Sequence, residues 1–205
     1  ILPNSLDTSL EIANLNNIKN VISKLYFDLD ACSKVILQAC ALYLELEEDF
    51  FISKISKGPS ILRLLHYPPI PKEASCKSVR AAAHEDINLI TFLCPSTSSG
   101  LEILTPEGEW LPIASDPSEI IVDSGDMMQN ITNNYFKSTT HRVVNSDLSH
   151  ERRMSVPFFV HPDNEVDLTP LPYCVEKTSG KVDFPTITAE EYLSKRLKEI
   201  GIKKI

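Results

Sequence analysis

The stretch AAHEDINLITFL, residues Ala82–Leu93, sets a polar His-Glu-Asp step directly ahead of a short apolar run. The run Ile87–Leu93 is brief and rich in Ile, Leu and Phe, which reads as a strand inside a β core. In extended chain, alternate side chains share a face, so His84 and Asp86 aim together and Glu85 aims away. Alone, an H-x-D step is a weak signal, because a polar turn entering a strand looks the same.

Fifty-five residues after Asp86 comes His141, at the head of another candidate strand, Thr140–Asn145. Two neutral imidazoles and one carboxylate on one side of a metal form the facial set used for non-haem iron(II), and they leave about three octahedral positions open. Twelve residues further on stands Arg153-Met154-Ser155. Arg153 and Ser155 again share a face, and a guanidinium fork beside a hydroxyl suits a carboxylate ligand. Tyr67, on the candidate strand Ile61–Tyr67, adds a phenol.

Around these residues the chain alternates short apolar runs with turn residues from position 60 onward. Further strands are expected at Arg80–Ala83, Asn88–Leu93, Leu101–Leu104, Glu109–Ile113, Ile120–Asp123, Met127–Thr132 and Met154–Val160. LEILTPEGEWLPI (Leu101–Ile113) has the form of a hairpin turning near Glu107–Gly108. This spacing predicts an all-β sandwich or barrel. The first third reads as helix instead. Ile18, Val21, Ile22, Leu25, Leu29, Cys32, Ile36, Ala39, Cys40 and Tyr43 trace one face, with Asn16 or Asn17 as cap and a short second helix at Glu47–Ser56. Residues 161–186, with several prolines, are expected to be loop. Thr188 and Glu191 then form a capping box for a helix striped by Leu193, Leu197 and Ile200, which Gly201 stops.

The ordered motifs ILRLLHYPP (Ile61–Pro69), AAHEDINLITFL, GLEILTPEGEWLPI (Gly100–Ile113), VDSGDMMQNITNNYFKSTTHRVVN (Val122–Asn145) and RRMSVPFFVHPD (Arg152–Asp163) resemble the isopenicillin N synthase-like branch of the 2-oxoglutarate/Fe(II)-dependent dioxygenases. The resemblance implies a mainly β fold, a double-stranded β-helix or jelly-roll core preceded by a long helix. It divides the chain into a helical support (1–59), a catalytic core (60–163) and a C-terminal loop and helix (164–205). It implies iron(II) ligation by His84, Asp86 and His141, and 2-oxoglutarate bound by Arg153, Ser155 and Tyr67, with O2 as oxidant and a small-molecule substrate. The Asp123–Asp126 turn, Lys137 and Arg142 match the family at positions read as structural. Two other readings use the same residues: an iron oxidase of this family that does not take 2-oxoglutarate, and a jelly-roll that binds without catalysing. Family members usually carry a long region ahead of the helix, so a shortened or partial chain with a more open pocket is expected.

Composition narrows the classes. The 205 residues are 42% hydrophobic and 23% charged with net charge -8, which suits a globular domain and gives no basic footprint for nucleic acid. No apolar stretch is long enough to span a membrane. Five cysteines without a CxxC pair fit a reducing cytoplasm, and Cys32 and Cys40 are expected in the core. A monomer or weak oligomer is expected. Of the remaining histidines, His66 should face away from Tyr67, His150 should lie in a solvated loop, and His161 at the barrel mouth or surface. Trp110 should pack the hairpin on the sheet, Met127–Met128 should fill core, Phe158 and Phe159 should face opposite ways, and no chemistry is assigned to Cys94.

Overall fold

The computed structural model describes residues 15–71, 79–114, 116–145 and 151–201. It is mainly β with helices, and every strand pairing is antiparallel. Helix α1 (Leu15–Tyr43) leads through a single 3-10 turn (Ile52–Ile55) into the strands. In chain order these are β1 (Ile61–Leu62), β2 (Leu65–Tyr67), β3 (Ala81–His84), β4 (Ile90–Leu93), β5 (Leu101–Leu104), β6 (Trp110–Pro112) and β7 (Ile121–Ser124). Helix α2 (Asp126–Ile131) follows, then β8 (His141–Val143), β9 (Arg153–Ser155), β10 (Pro157–Val160), α3 (Pro172–Lys177) and α4 (Ala189–Glu199).

One sheet has the order β1-β10-β4-β7, the other β3-β8-β5-β6, and β2 and β9 form a two-stranded ribbon. The period of two along each strand assigns the faces. In the first sheet Ile90, Phe92, Phe158 and Val160 are buried in the core that contains Leu29 and Leu37 of α1. Phe158 meets Tyr26 of α1 edge to face, ring centroids 5.1 Å apart. The alternate residues Leu93, Pro157 and Phe159 instead line a cavity of about 880 Å³, whose other wall includes Ala81, Leu101 and Val143 of the second sheet. Phe158 and Phe159 thus do face opposite ways.

Two of the expected strands are broken in the same manner. Ile61–Tyr67 divides into β1 and β2, and the Met154–Val160 run becomes β9 and β10, each crossing from the ribbon to the first sheet at one corner. The 101–113 hairpin forms as read, with Gly108 at φ 85 and its N–H on Thr105 O. Trp110 sits on this hairpin with the Arg142 guanidinium 3.9 Å from its ring centroid.

Several expectations are corrected. Met127–Thr132 is not a strand: Met127, Met128 and Ile131 are all buried at helical spacing, and Asp126 in the first turn favours helix over strand. Asn133 and Asn134, at φ 49 and 68, then turn the chain away from the helix. Residues 161–186 are not all loop, because α3 starts with Pro172 at its first position. Asn16 and Asn17 lie inside α1 and cannot cap it. Glu47–Ser56 shrinks to the four-residue 3-10 turn. The buried stripe of α1 runs through Leu29, Ser33, Leu37 and Ala41, so Ile18, Val21, Ile36, Tyr43 and Cys32 are exposed. Cys40 does pack against the core. The capping box on α4 is present, with Thr188 Oγ1 accepting from Glu191 N, and His66 is exposed while Tyr67 lines the cavity. His150 and Cys76 lie outside the described residues. No helix among the described residues is long and apolar enough to cross a membrane.

Candidate metal and carboxylate site

His84 ends β3, Asp86 lies in the crossing from the second sheet to the first, and His141 starts β8. His84 and His141 are cross-strand partners, their ring centroids 4.3 Å apart. Asp86 is therefore not on one strand with His84. It reaches the same point because its loop is clamped by α2: Asp126 N donates to Asp86 O at 2.8 Å, Met127 N to Asn88 O at 3.0 Å and Gly125 N to Leu89 O at 2.9 Å. The first turn of a helix has spare N–H groups, and here they hold the ligand loop. Gly125 allows this approach, since a Cβ there would stand 2.7 Å from Asp86 O and 2.2 Å from Asn88 Oδ1.

Each ring is oriented by a backbone carbonyl. His84 Nδ1 donates to Ala82 O at 2.7 Å and His141 Nδ1 to Thr139 O at 3.0 Å. A carbonyl only accepts, so the proton sits on Nδ1 and the Nε2 lone pair is free for a metal. Those Nε2 atoms stand 3.9 and 4.0 Å from Asp86 Oδ1. Two ligands on one ion at ~2.1 Å lie no more than ~4.2 Å apart, so both spacings fit one ion. The donor atoms of all three residues fall within 4.8 Å of one another. Asp86 is 9% exposed, and its other oxygen accepts from Thr91 Oγ1 at 2.6 Å, which in turn accepts from Asn88 Nδ2 at 2.8 Å. Glu85 is kept off the cluster by the Thr140 hydroxyl.

Asp123, not singled out from sequence as a site residue, stands behind His141, its Oδ2 3.7 Å from Nδ1. Burial, with the Asp86 charge adding to it, pushes its carboxyl up to about 7. Without metal, the folded protein takes up a proton at Asp123 as pH falls through 7, while the unfolded chain stays ionised. This group therefore adds stability as pH drops from 8 to 5.5. Asp123→Asn has no such dependence. In urea unfolding of the metal-free protein, the variant's advantage over wild type should shrink by about 2 kcal/mol between pH 8 and 5.5. An advantage that stays constant across that range refutes the assignment.

Arg153 and Tyr67 face each other across the β2–β9 ribbon, and both line the cavity that includes the histidines. Arg153 is 4% exposed; its Nε donates to Ser98 O at 3.1 Å and its guanidinium lies 5.5 Å from the Tyr67 ring centroid. Among the described residues no carboxylate pairs with it, and burial lowers its pKa. A buried cation without a counter-ion is costly unless a ligand supplies the anion. Ser155 is buried two residues along the same face but does not border the cavity. Cys94 lines the cavity with its thiol pushed up by burial.

His161, expected at the barrel mouth or surface, is buried on the cavity wall, its imidazole pushed down to about 4 by desolvation. The parity that puts Phe159 inward also puts His161 inward, a signal the sequence carries. The cavity mouth is edged by Leu193, Arg196, Leu197 and Ile200 of the C-terminal region. Arg196 pins this helix to the core through Asp126 Oδ2 at 3.1 Å.

Residues 58–162 match the family described as 2OG-Fe(II) oxygenase superfamily. The chain is 35% identical over 161 residues, 78% of its length and 45% of the relative's, to the 2-oxoglutarate-Fe(II) type oxidoreductase hxnY of Emericella nidulans. It is 34% identical over 183 residues to isopenicillin N synthase of Penicillium chrysogenum, covering 84% of this chain and 53% of that one. A crystal structure of a 2OG-Fe(II) oxygenase family protein from Caulobacter crescentus superposes with TM-score 0.82 at 43% identity, over 92% of this chain and 61% of the other. The chain spans about half the length of these sequence relatives. With the metal-ligand geometry and the match across the whole β region, the chain belongs to the 2OG-Fe(II) oxygenase superfamily.

Proposed function

We propose that this chain is the catalytic part of an iron(II)- and 2-oxoglutarate-dependent oxygenase acting on a small organic molecule, with its two sheets forming a double-stranded β-helix. The catalytic unit is residues 60–163; residues 1–59 support it from outside, and within residues 164–205 the C-terminal helix edges its mouth. His84, Asp86 and His141 hold the iron. Arg153, with Tyr67 beside it, takes the far carboxylate of 2-oxoglutarate, and Ser155 supports that end. Bound together, iron and 2-oxoglutarate supply the oxidising chemistry that lets O2 attack a C–H bond with release of succinate and CO2.

The carrying observation is that one cavity contains both a three-ligand cluster with free Nε2 lone pairs and a buried arginine lacking an anion. The protein's work is positional. Ala82 O and Thr139 O hold the imidazole tautomers, Thr91 holds the carboxylate, and the apolar lining excludes water. The four cysteines among the described residues are free thiols, which supports a reducing, cytoplasmic setting. The direct test is succinate released from 2-oxoglutarate under air. Formation that needs both added iron(II) and 2-oxoglutarate is expected, and no succinate under those conditions overturns the reading.

A further inference from the structure

The wall that carries Tyr67 also carries a second cationic station, Arg63. Side chains at Ile61, Arg63, Leu65 and Tyr67 alternate into the cavity. Arg63 lies at the corner between β1 and β2, four residues before Tyr67, the cross-strand partner of Arg153. Arg63 is exposed at the mouth. Its guanidinium lies 5.3 Å from the Phe159 ring centroid, and among the described residues it forms no ion pair.

His161 lies on the same wall, near enough for the Arg63 charge to bear on it. It is 8% exposed, its backbone N–H donates to Ser60 Oγ at 3.2 Å, and its ring forms no hydrogen bond with the described residues. Its backbone is seated against Gly58, where a Cβ would stand 2.0 Å from His161 O. An imidazole held this firmly, turned into a cavity and left unpartnered is a vacant hydrogen-bonding position. Being neutral at pH 7, it offers one donor and one acceptor. The surfaces between these polar groups are apolar: Ile61, Leu65, Pro157 and Phe159 from the sheets, with Leu193 and Leu197 opposite.

We propose that the primary substrate is a small carboxylic acid with an apolar body, its carboxylate on Arg63 and a neighbouring polar group on His161. This deepens the oxygenase reading and rests on it. A guanidinium at the mouth accounts for an acid rather than an amide or alcohol, because only the anion gains a charge-assisted pair. The apolar wall then packs the body of the molecule toward the histidine and aspartate cluster.

The test uses the full chain with Mn(II) and saturating 2-oxoglutarate, so that Arg153 is already filled. Cinnamate, phenylacetate and octanoate, each beside its primary amide, serve as probes in titration calorimetry. At least one acid should bind ten times more tightly than its amide. In Arg63→Gln that preference should fall below twofold, while 2-oxoglutarate affinity stays within twofold of wild type. Arg63→Lys should keep part of it. Arg63 is exposed and unpaired, so these variants fold. Acids and amides binding alike, no probe binding at all, or an undiminished preference in Arg63→Gln each overturns the proposal. Failure of wild type to bind 2-oxoglutarate in the presence of Mn(II) is read separately, in the first titration, and removes the oxygenase reading with it.

Discussion

Asp86→Ala should reduce iron-dependent succinate formation to background. Asp86 is the one anionic donor in the cluster, and its Oδ1 is the atom that stands near both Nε2 atoms. Two neutral imidazoles remaining on neighbouring strands of one sheet hold a hard divalent ion poorly. Groups that merely orient a ligand contribute 10–100-fold to metal affinity, so loss of the ligand itself should cost more than ~100-fold. The fold should survive, since the loop is held by backbone bonds from Gly125, Asp126 and Met127 rather than by the carboxylate. Mn(II) binding measured by calorimetry and succinate measured by chromatography check both halves. Turnover within tenfold of wild type would sink the metal assignment. Thr91→Val, which keeps the Asp86 carboxylate but removes its bond from Thr91 and the one Thr91 accepts from Asn88, provides the graded comparison.

Arg153→Leu produces the second large effect, and its signature is a split between affinity and stability. The guanidinium is 4% exposed and lacks a carboxylate partner among the described residues. Removing it from the ligand-free protein deletes an unpaired buried charge, so the melting temperature should hold steady or rise. Removing it from the 2-oxoglutarate complex leaves the far carboxylate of the cosubstrate unpaired, at a penalty of about 3 kcal/mol. That converts to roughly a 100-fold rise in the KM for 2-oxoglutarate, with a much smaller change in kcat. Arg153→Lys should fall between the two, because a point charge cannot reproduce a two-pronged contact. A large loss of melting temperature with unchanged KM would reduce Arg153 to a structural residue and reopen the reading in which 2-oxoglutarate is not used.

These two effects differ in how they could be foreseen. His84, Asp86, His141 and Arg153 were legible because their spacing relative to apolar runs is itself a chemical statement: polar groups able to bind a metal or a carboxylate, set at strand ends. The reason offered for His84 and Asp86, one shared strand face, was not the operative one. The strand ends at His84, and Asp86 is aimed by α2, whose N–H groups reach back from 40 residues later in the chain. The segment misread as a strand, Met127–Thr132, thus falls on the helix whose start places the Asp86 carboxylate. Local spacing did contain the correction, since Met127, Met128 and Ile131 fit a helix, but two adjacent methionines mask any clear period.

The sequence by itself determined the chemistry available: two histidines and an aspartate, an arginine and a tyrosine, on or beside strands whose alternating apolar faces require a two-sheeted core. It also set the α4 capping box, because capping depends on residues three apart. Only the tertiary structure decided which of two apolar stripes on α1 is buried, since Ile18, Val21, Ile36 and Tyr43 are as hydrophobic as the stripe the sheet covers. It alone placed Asp123 behind His141 and buried His161, expected at the barrel mouth or surface, on the cavity wall. The physical reason is common to all of these. Burial and charge pairing depend on contacts between residues tens of positions apart, while periodicity and capping report only on neighbours.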